Sequence, residues 1–488
     1  MHVTRQISRR TMLKATGVAA GAVGIGAGSA AAAGTSYAHP GLLHTGGDLA
    51  RMAAKVKADA APYTAGYARL TANRHAQSSW TANPQAIVYR GGASPQNYTT
   101  LYNDVHAAYQ NALRYHVGGD SAHADAAVAI LNAWSGKLTQ VAGSADRFLC
   151  AGLQGYQFAN AAELVRDHGD FDLGRFQEMQ SKVFGAVSDD FLAHHNGAFD
   201  TNYWPNWDLA NMACLLATGI LCDNKAQVTR AVDYFKHGAG LGAVKNAIPV
   251  VHDDGLAEWL EAGRDQGHSL LGVGLMGTFC EMAWNQGIDL YGYDDSRFLK
   301  GAQYVAKWSL GGKVSYTSNT RQKGAPGVWS GSETATQAAG VDPNMQRPIW
   351  AMIANHYTKR RGLSATYLTQ IAARSAPEGG GGDYGPNSGG YDQLGFGTLA
   401  FTRDKGMTTA ATPTPTPSAS ASDAGSGSRP QTAATASASA SASPAGGDLA
   451  ATGSEDVVGW AAAAGVTAVA GGLLFLRRRD RVRQGGTR

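Results

Sequence analysis

Asp120–Val165 reads DSAHADAAVAILNAWSGKLTQVAGSADRFLCAGLQGYQFANAAELV, and the fold turns on its pattern. Apolar residues recur three and four positions apart through Asp120–Val141 and again through Phe148–Val165, with Gly143-Ser144 as the break. That spacing lines one face of a helix with side chains that must be buried. The same pattern runs through Leu49–Leu70, Tyr98–Tyr115, Phe176–Leu192 and Leu209–Leu221. Gly118-Gly119, Asp167-His168-Gly169-Asp170 and Asp223-Asn224 punctuate it. Alternation of Val, Ile and Thr is scarce before residue 310, so helix follows helix through short connections, as in antiparallel helical hairpins. Beyond Gly311 glycine, serine and proline rise through Lys313–Val328, and a helix pair is expected over Pro348–Ala373. Pro377–Gly397 is a glycine-rich loop suited to shaping one rim of a cleft. The chain reads as all-α, with one large domain between residues 39 and 405.

The two ends carry addresses. Ser8-Arg9-Arg10-Thr11-Met12-Leu13-Lys14 precedes an Ala/Gly-rich stretch to Gly34, the sign of a twin-arginine signal peptide over residues 1–38. Small-residue cleavage sites stand at Ala31-Ala32-Ala33 and at Ser36-Tyr37-Ala38. Residues 406–448 are Ala, Ser, Thr, Pro and Gly, a composition that buries too little apolar surface to order itself. Residues 449–488 open with Leu449-Ala450-Ala451-Thr452-Gly453, continue as an apolar run over 457–476 long enough to span a bilayer, and end in arginines. That order resembles a sortase sorting signal of the LAxTG type, which implies sortase and cell-wall peptidoglycan as partners and an extracellular body tethered to the wall or the membrane.

The formal charge of +4 follows these segments. The signal holds four cations and no acid, and six arginines face three acids after Gly453, which leaves the body near −3. Nucleic acid is a poor partner for such a surface, since no basic stripe remains to displace counterions. Cys150, Cys214, Cys222 and Cys280 show neither a CxxC pair nor zinc spacing, and no disulfide is expected.

Chemistry gathers in Glu261–Gly272, EAGRDQGHSLLG. Arg264 and His268 are spaced i, i+4 and share a helical face. A guanidinium pairs with a carboxylate in a two-pronged fork, and an imidazole moves a proton near neutral pH. Asp265, beside Arg264, is placed to hold the guanidinium. Asn202-Tyr203-Trp204-Pro205-Asn206-Trp207-Asp208 adds amides and aromatic faces suited to sugar rings. His252, Asp253, Asp254, Glu258 and Glu261 form an acidic cluster that could serve glycoside hydrolysis or a metal. Tyr291, Tyr293 and Tyr316 are candidate proton donors, while His194, His195, His237 and His356 read as surface or satisfied histidines.

Taken together, NYWPNWDLANM (202–212), EAGRDQGHSLLGVGLM (261–276), WNQGIDLYGYDDSRFLKGAQYVAKW (284–308) and RPIWAMIANHY (347–357) resemble the alginate lyase superfamily of polysaccharide lyases. The resemblance covers most of Leu42–Phe401. It implies an α/α toroid, an incomplete barrel of helical hairpins, whose cleft holds an acidic polysaccharide cut by β-elimination without metal or other cofactor. It implies that Asn206, with Asn202 as the alternative amide, and Arg264 neutralise the uronate carboxylate. It implies that His268 is the base or else a partner on the carboxylate side, and that a tyrosine, Tyr316 or else Tyr203, is the acid and can serve as the base as well. Asn202, Tyr203, Trp204 and Trp207 are then substrate-binding residues. Where alginate lyases of this fold carry Asn-Asn-His-x-Tyr-Trp, this chain has Thr201-Asn202-Tyr203-Trp204 and no histidine, so the expected polymer is alginate or a glucuronan-like chain. The rival expectations are a glycoside hydrolase on the same toroid, and a wall-anchored protein that binds glycans without cutting them.

Overall fold

The computed structural model describes residues 37–92, 96–380 and 391–406. The twin-arginine motif, residues 381–390 of the glycine-rich loop, nearly all of the 406–448 linker and the sorting signal with its 457–476 span lie outside the described residues. Among the described residues no helix is long and apolar enough to cross a membrane.

The chain is mostly helical. Its first helices are α1 (Gly46–Lys57), α2 (Tyr63–Ala72), α3 (Tyr98–Gly118), α4 (Ser121–Ser135) and α5 (Asp146–Leu164). There follow α6 (Leu173–Met179), α7 (Ala186–His194), α8 (Pro205–Leu221), α9 (Lys225–His237), α10 (Val244–Ala247), α11 (Gln266–Asn285) and α12 (Tyr293–Ser309). The last are α13 (Trp350–Asn355), α14 (Thr366–Ser375) and α15 (Gly397–Ala400). Strands β1 (Ile87–Arg90) and β2 (Gln140–Gly143) pair in parallel, and β3 (Asn319–Gly324) and β4 (Ser330–Ala335) form an antiparallel hairpin.

The periodic segments fold as expected, with two differences. Leu49–Leu70 is broken at 58–62, where Pro62 stands just ahead of α2 and cannot extend α1. The Asp120–Val141 segment leaves the helix after Ser135, and its Gln140-Val141 end pairs with β1 instead. Phe176–Leu192 is one continuous rod, with a π-helical turn over Gln180–Gly185 joining α6 to α7.

Helix α5 packs against α8 and α3, and α8 in turn against α11 and α9. Every residue of α8 is buried, as is α5 from Phe148 to its end. Helices buried on every side belong inside a core, and here they form it. Close approach needs the absence of a side chain: a Cβ on Gly152 would lie 2.8 Å from the Ala210 carbonyl carbon, and one on Gly155 would meet Cys214 Sγ. All four cysteines are unpaired.

Two buried carboxylates are met by arginines. Asp48 takes Arg51 and Arg403, and these cations hold its carboxyl, despite burial, well below the usual range. Glu281 accepts from Arg360 at 2.8 Å and lies 3.4 Å from Arg403. This cluster joins α1 and α11 to the last described residues.

Candidate active site

The Arg264–His268 segment is shaped by its caps. A short 3-10 turn, Leu260–Gly263, ends at Arg264, and Asp265 in extended conformation starts α11 as its N-cap. Asp265 Oδ1 accepts the His268 backbone N–H at 2.8 Å, the usual service of an N-cap carboxylate. Its Oδ2 lies 2.7 Å from His268 Nδ1. Accepting there fixes the ring proton on Nδ1 and leaves Nε2 as the lone-pair nitrogen, on a side chain 15% exposed. Burial pushes the Asp265 carboxyl up, but the bond and charge of His268 together with Arg264 outweigh it and hold it at about 2.

Arg264 is gripped from three sides. Its Nη1 donates to Glu261 Oε1 at 3.0 Å, its Nε lies 3.4 Å from Asp265, and its guanidinium sits 5.6 Å from the centre of the Trp204 ring. Glu261 is fully buried, and burial raises its carboxyl against the pull of Arg264 and His268. The Trp204 contact brings the two motif segments together: Trp204 is the N-cap residue of α8 and Pro205 its first helical residue, a position that needs no N–H. Asn206 follows, buried, with its Oδ1 unpartnered. A buried amide oxygen without a partner costs about 1–3 kcal/mol.

The other aromatic residues of this segment are packed. Tyr203 lies against Trp207 and Phe191, and its hydroxyl accepts from Asn196 at 3.3 Å. Burial raises its phenol. Asn202 turns its Oδ1 to the Gly324 N–H at 2.7 Å, so its carbonyl holds the β3–β4 hairpin. Only Trp204 among these aromatics makes contact with Arg264.

Tyr316 reaches the same neighbourhood. Its hydroxyl donates to the Leu260 carbonyl at 3.0 Å and lies where a Cβ on Gly263 would stand, so glycine is required one residue before Arg264. Burial, with the charge of Glu258, pushes the phenol up to about 12. Tyr291 is elsewhere, stacked on His356 and donating to Glu281 at 3.2 Å within the buried ionic cluster. His195 is satisfied by Asp208 at 2.9 Å, and His194 lies at the surface.

The acidic cluster disperses. Asp253 and Asp254 are exposed. Glu258 accepts the Thr317 N–H at 2.6 Å and lies 3.3 Å from His252, while Glu261 serves Arg264. Among the described residues no group of three or more His, Cys, Asp or Glu is arranged to hold a metal ion.

One wall of the site was not foreseen. Arg321 of β3 stacks on Trp204 at 4.3 Å, so that ring carries two guanidiniums. Arg321 also donates to the Asn202 carbonyl and, at 2.5 Å, to Glu333 of β4, its register partner. The signal available in sequence was the Gly324-Ala325-Pro326-Gly327 turn between Thr/Ser-rich flanks.

The family profile described as alginate lyase matches residues 51–315. Among solved structures, an alginate lyase from Bacteroides ovatus is similar at 16% identity over 56% of this chain and 83% of that one, with a TM-score of 0.40. Alginate lyase A1-III from Sphingomonas species A1 is similar at 14% identity over 73% of this chain and 95% of that one, with a TM-score of 0.43. A histidine-to-alanine variant of A1-III complexed with tetrasaccharide gives 13%, 69%, 94% and 0.38 for the same four quantities. No curated protein matches the sequence.

Proposed function

The chain belongs to the alginate lyase family and is a polysaccharide lyase, and on that premise we propose that it cleaves a uronic-acid polymer, alginate or glucuronan-like, by β-elimination outside the cell. Arg264 and Asn206 neutralise the uronate carboxylate, which makes the C5 proton acidic. Nε2 of His268 takes that proton, the C4–O4 bond breaks, a C4=C5 double bond forms, and the Tyr316 phenol protonates the departing O4. Asn202, Tyr203, Trp204 and Trp207 are assigned to the support of the substrate side, Trp204 by carrying Arg264 and Arg321 and the other three by packing and anchoring the segment around it.

The observation that carries this reading is the Asp265–His268–Arg264 group resting on Trp204: an oriented imidazole beside a guanidinium clamped by a carboxylate and an aromatic face. For Tyr316, a phenol raised to about 12 is a donor throughout the physiological range, and substrate must draw its proton from the Leu260 carbonyl. No carboxylate pair competes, since Glu258 and Glu261 are already engaged.

The finer architecture belongs to the same proposal. The fully buried helices α5 and α8, stacked in sequence order with α3 and α11, suit the inner wall of an α/α toroid rimmed by the glycine-rich segment. A twin-arginine signal, a domain to residue 405, a linker over 406–448 and a sorting signal over 449–488 make it a protein tethered by sortase to peptidoglycan. The test is ultraviolet absorbance on a panel of uronate polymers. Elimination creates a conjugated C4=C5 bond and hydrolysis does not. Absorbance that rises on one polymer and is lost in His268→Ala is the expected result. Reducing ends without absorbance, or no turnover on any polymer, would overturn it.

A further inference from the structure

Among the described residues four large apolar side chains are exposed, and the two most exposed are neighbours, Val328 at 62% and Trp329 at 50%. They stand at the turn of the β3–β4 hairpin, which uses Gly324 and Gly327 at positive φ to reverse the chain. An exposed indole beside an exposed valine at a loop tip offers an apolar surface to a partner. Lys323 holds its ammonium 5.3 Å from the centre of the Trp329 ring. Glu333 lies 3.7 Å from that ammonium but is already met at 2.5 Å by the buried Arg321. The hairpin therefore carries two cations against one acid, and the excess charge sits beside the exposed ring.

The hairpin is also held in fixed relation to the catalytic segment. Gly324 N–H donates to Asn202 Oδ1 at 2.7 Å, and its carbonyl accepts from Phe199 at 3.0 Å. Arg321, next but one to Lys323, lies on the Trp204 ring that also carries Arg264. An aromatic plate with a cation beside it matches a pyranose ring bearing a carboxylate: the ring's C–H face stacks and the ammonium meets the anion.

We propose that the tip of this hairpin is a remote subsite for a further anionic sugar of the same polymer, Trp329 supplying the stacking face and Lys323 the counter-charge. The proposal rests on the uronate lyase reading above. The subsite grips the chain away from the scissile bond, so it adds affinity for long substrates and contributes nothing to the bond-breaking step.

The test compares long uronate polymer with oligosaccharides too short to reach the hairpin, in the full chain with Trp329→Ala or Lys323→Gln. Trp329→Ala should raise KM for the polymer about three- to tenfold, leave kcat unchanged, and leave the short substrates unaffected. Lys323→Gln should shift KM the same way and flatten its dependence on salt, with Lys323→Arg restoring both. In a His268→Ala background, polymer binding followed by calorimetry should weaken to the same extent without any turnover. Equal effects on long and short substrates, or none on either, would overturn the subsite, and tight binding of a neutral polymer at Trp329 would overturn the anionic assignment. An unaltered protein that makes no unsaturated product from any uronate polymer sinks the lyase reading and the subsite with it. Turnover indifferent to Trp329→Ala sinks the subsite alone.

Discussion

Asp265 holds His268 at two points: Oδ2 lies 2.7 Å from the ring Nδ1, and Oδ1 accepts the His268 backbone N–H at 2.8 Å. One carboxylate thus starts the helix and sets the tautomer of the residue proposed as base. The two roles separate in Asp265→Asn. Asparagine caps a helix as well as aspartate does, so the helix start is kept and the melting temperature should fall only by what the lost ion pairs with His268 and Arg264 contribute. Its amide donates where the carboxylate accepted, which drives the ring proton onto Nε2 and removes the lone pair that takes the C5 proton. We expect kcat to fall about 10²–10⁴-fold with little change in KM, read by steady-state absorbance assays. A variant that keeps full turnover would remove His268 from the role of base.

Tyr316→Phe tests the acid. The phenol is pushed up to about 12, so it keeps its proton across the neutral and mildly alkaline range, and no loss of activity below about pH 11 is to be traced to its ionisation. Losing the hydroxyl should lower kcat about 10²–10⁴-fold, while loss of the bond to Leu260 costs stability only about 1 kcal/mol. A substrate with a better leaving group than a sugar O4 should recover most of the rate. If it does not, another group protonates O4.

Glu378 makes a prediction about stability. It is fully buried, accepts the N–H groups of Trp350 and Ala351 at 2.9 Å, and burial lifts its carboxyl to about 7. Between pH 4.5 and 7 the native state therefore holds a proton that the unfolded chain has released. Stability falls as pH rises through that window, by roughly 3 kcal/mol for this group. Glu378→Gln keeps the acceptor oxygen and loses the titration. Denaturant melts should show the variant more stable than the parent at pH 8 and close to it at pH 4.5. A variant that follows the parent at both values would show that Glu378 is not the source of the slope.

The start of the domain bears on export. Tyr37 N–H donates to Asp223 at 3.0 Å, and Ala38 exchanges bonds with the Gln286 side chain at 2.9 and 3.0 Å. Cutting after Ala38 would discard these contacts, so processing is expected at Ala31-Ala32-Ala33, upstream of them. Terminal sequencing of the exported protein decides between the two sites, and His39 as the first residue would refute the expectation.

Much of this was legible in the chain. The apolar stripes of α3, α5 and α8 have a period that only a helix satisfies, and the burial of α5 and α8 on every side follows from small residues such as Gly152, Ala210 and Cys214. Arg264, Asp265 and His268 were readable because the contacts between them are local, within one helical turn. Arg321 and Glu333 were not. Their strands have no apolar face to alternate, since β4 is Ser-Gly-Ser-Glu-Thr-Ala, and the hairpin is held by long-range bonds to Asn202 and Thr201. Asn202 shows the same limit from the other side: an amide ahead of a helix suits sugar or backbone equally, and only the fold brings Gly324 to it.

The pairing of Arg403 with Asp48 has a mechanical side. Arg51 donates to the Ala400 carbonyl at 2.6 Å and Tyr63 to that of Thr402 at 2.6 Å, so the last described turn is stitched to α1 and α2. A pull arriving along the chain from residue 406 meets the Gly406–Lys359 backbone bond and the Asp404–Lys55 pair first, and then this stitching. In a tethered enzyme of the kind proposed above, drag would be taken by this buried ionic clasp, and Arg403 would pass what remains to Glu281 and so to α11, the helix that carries His268.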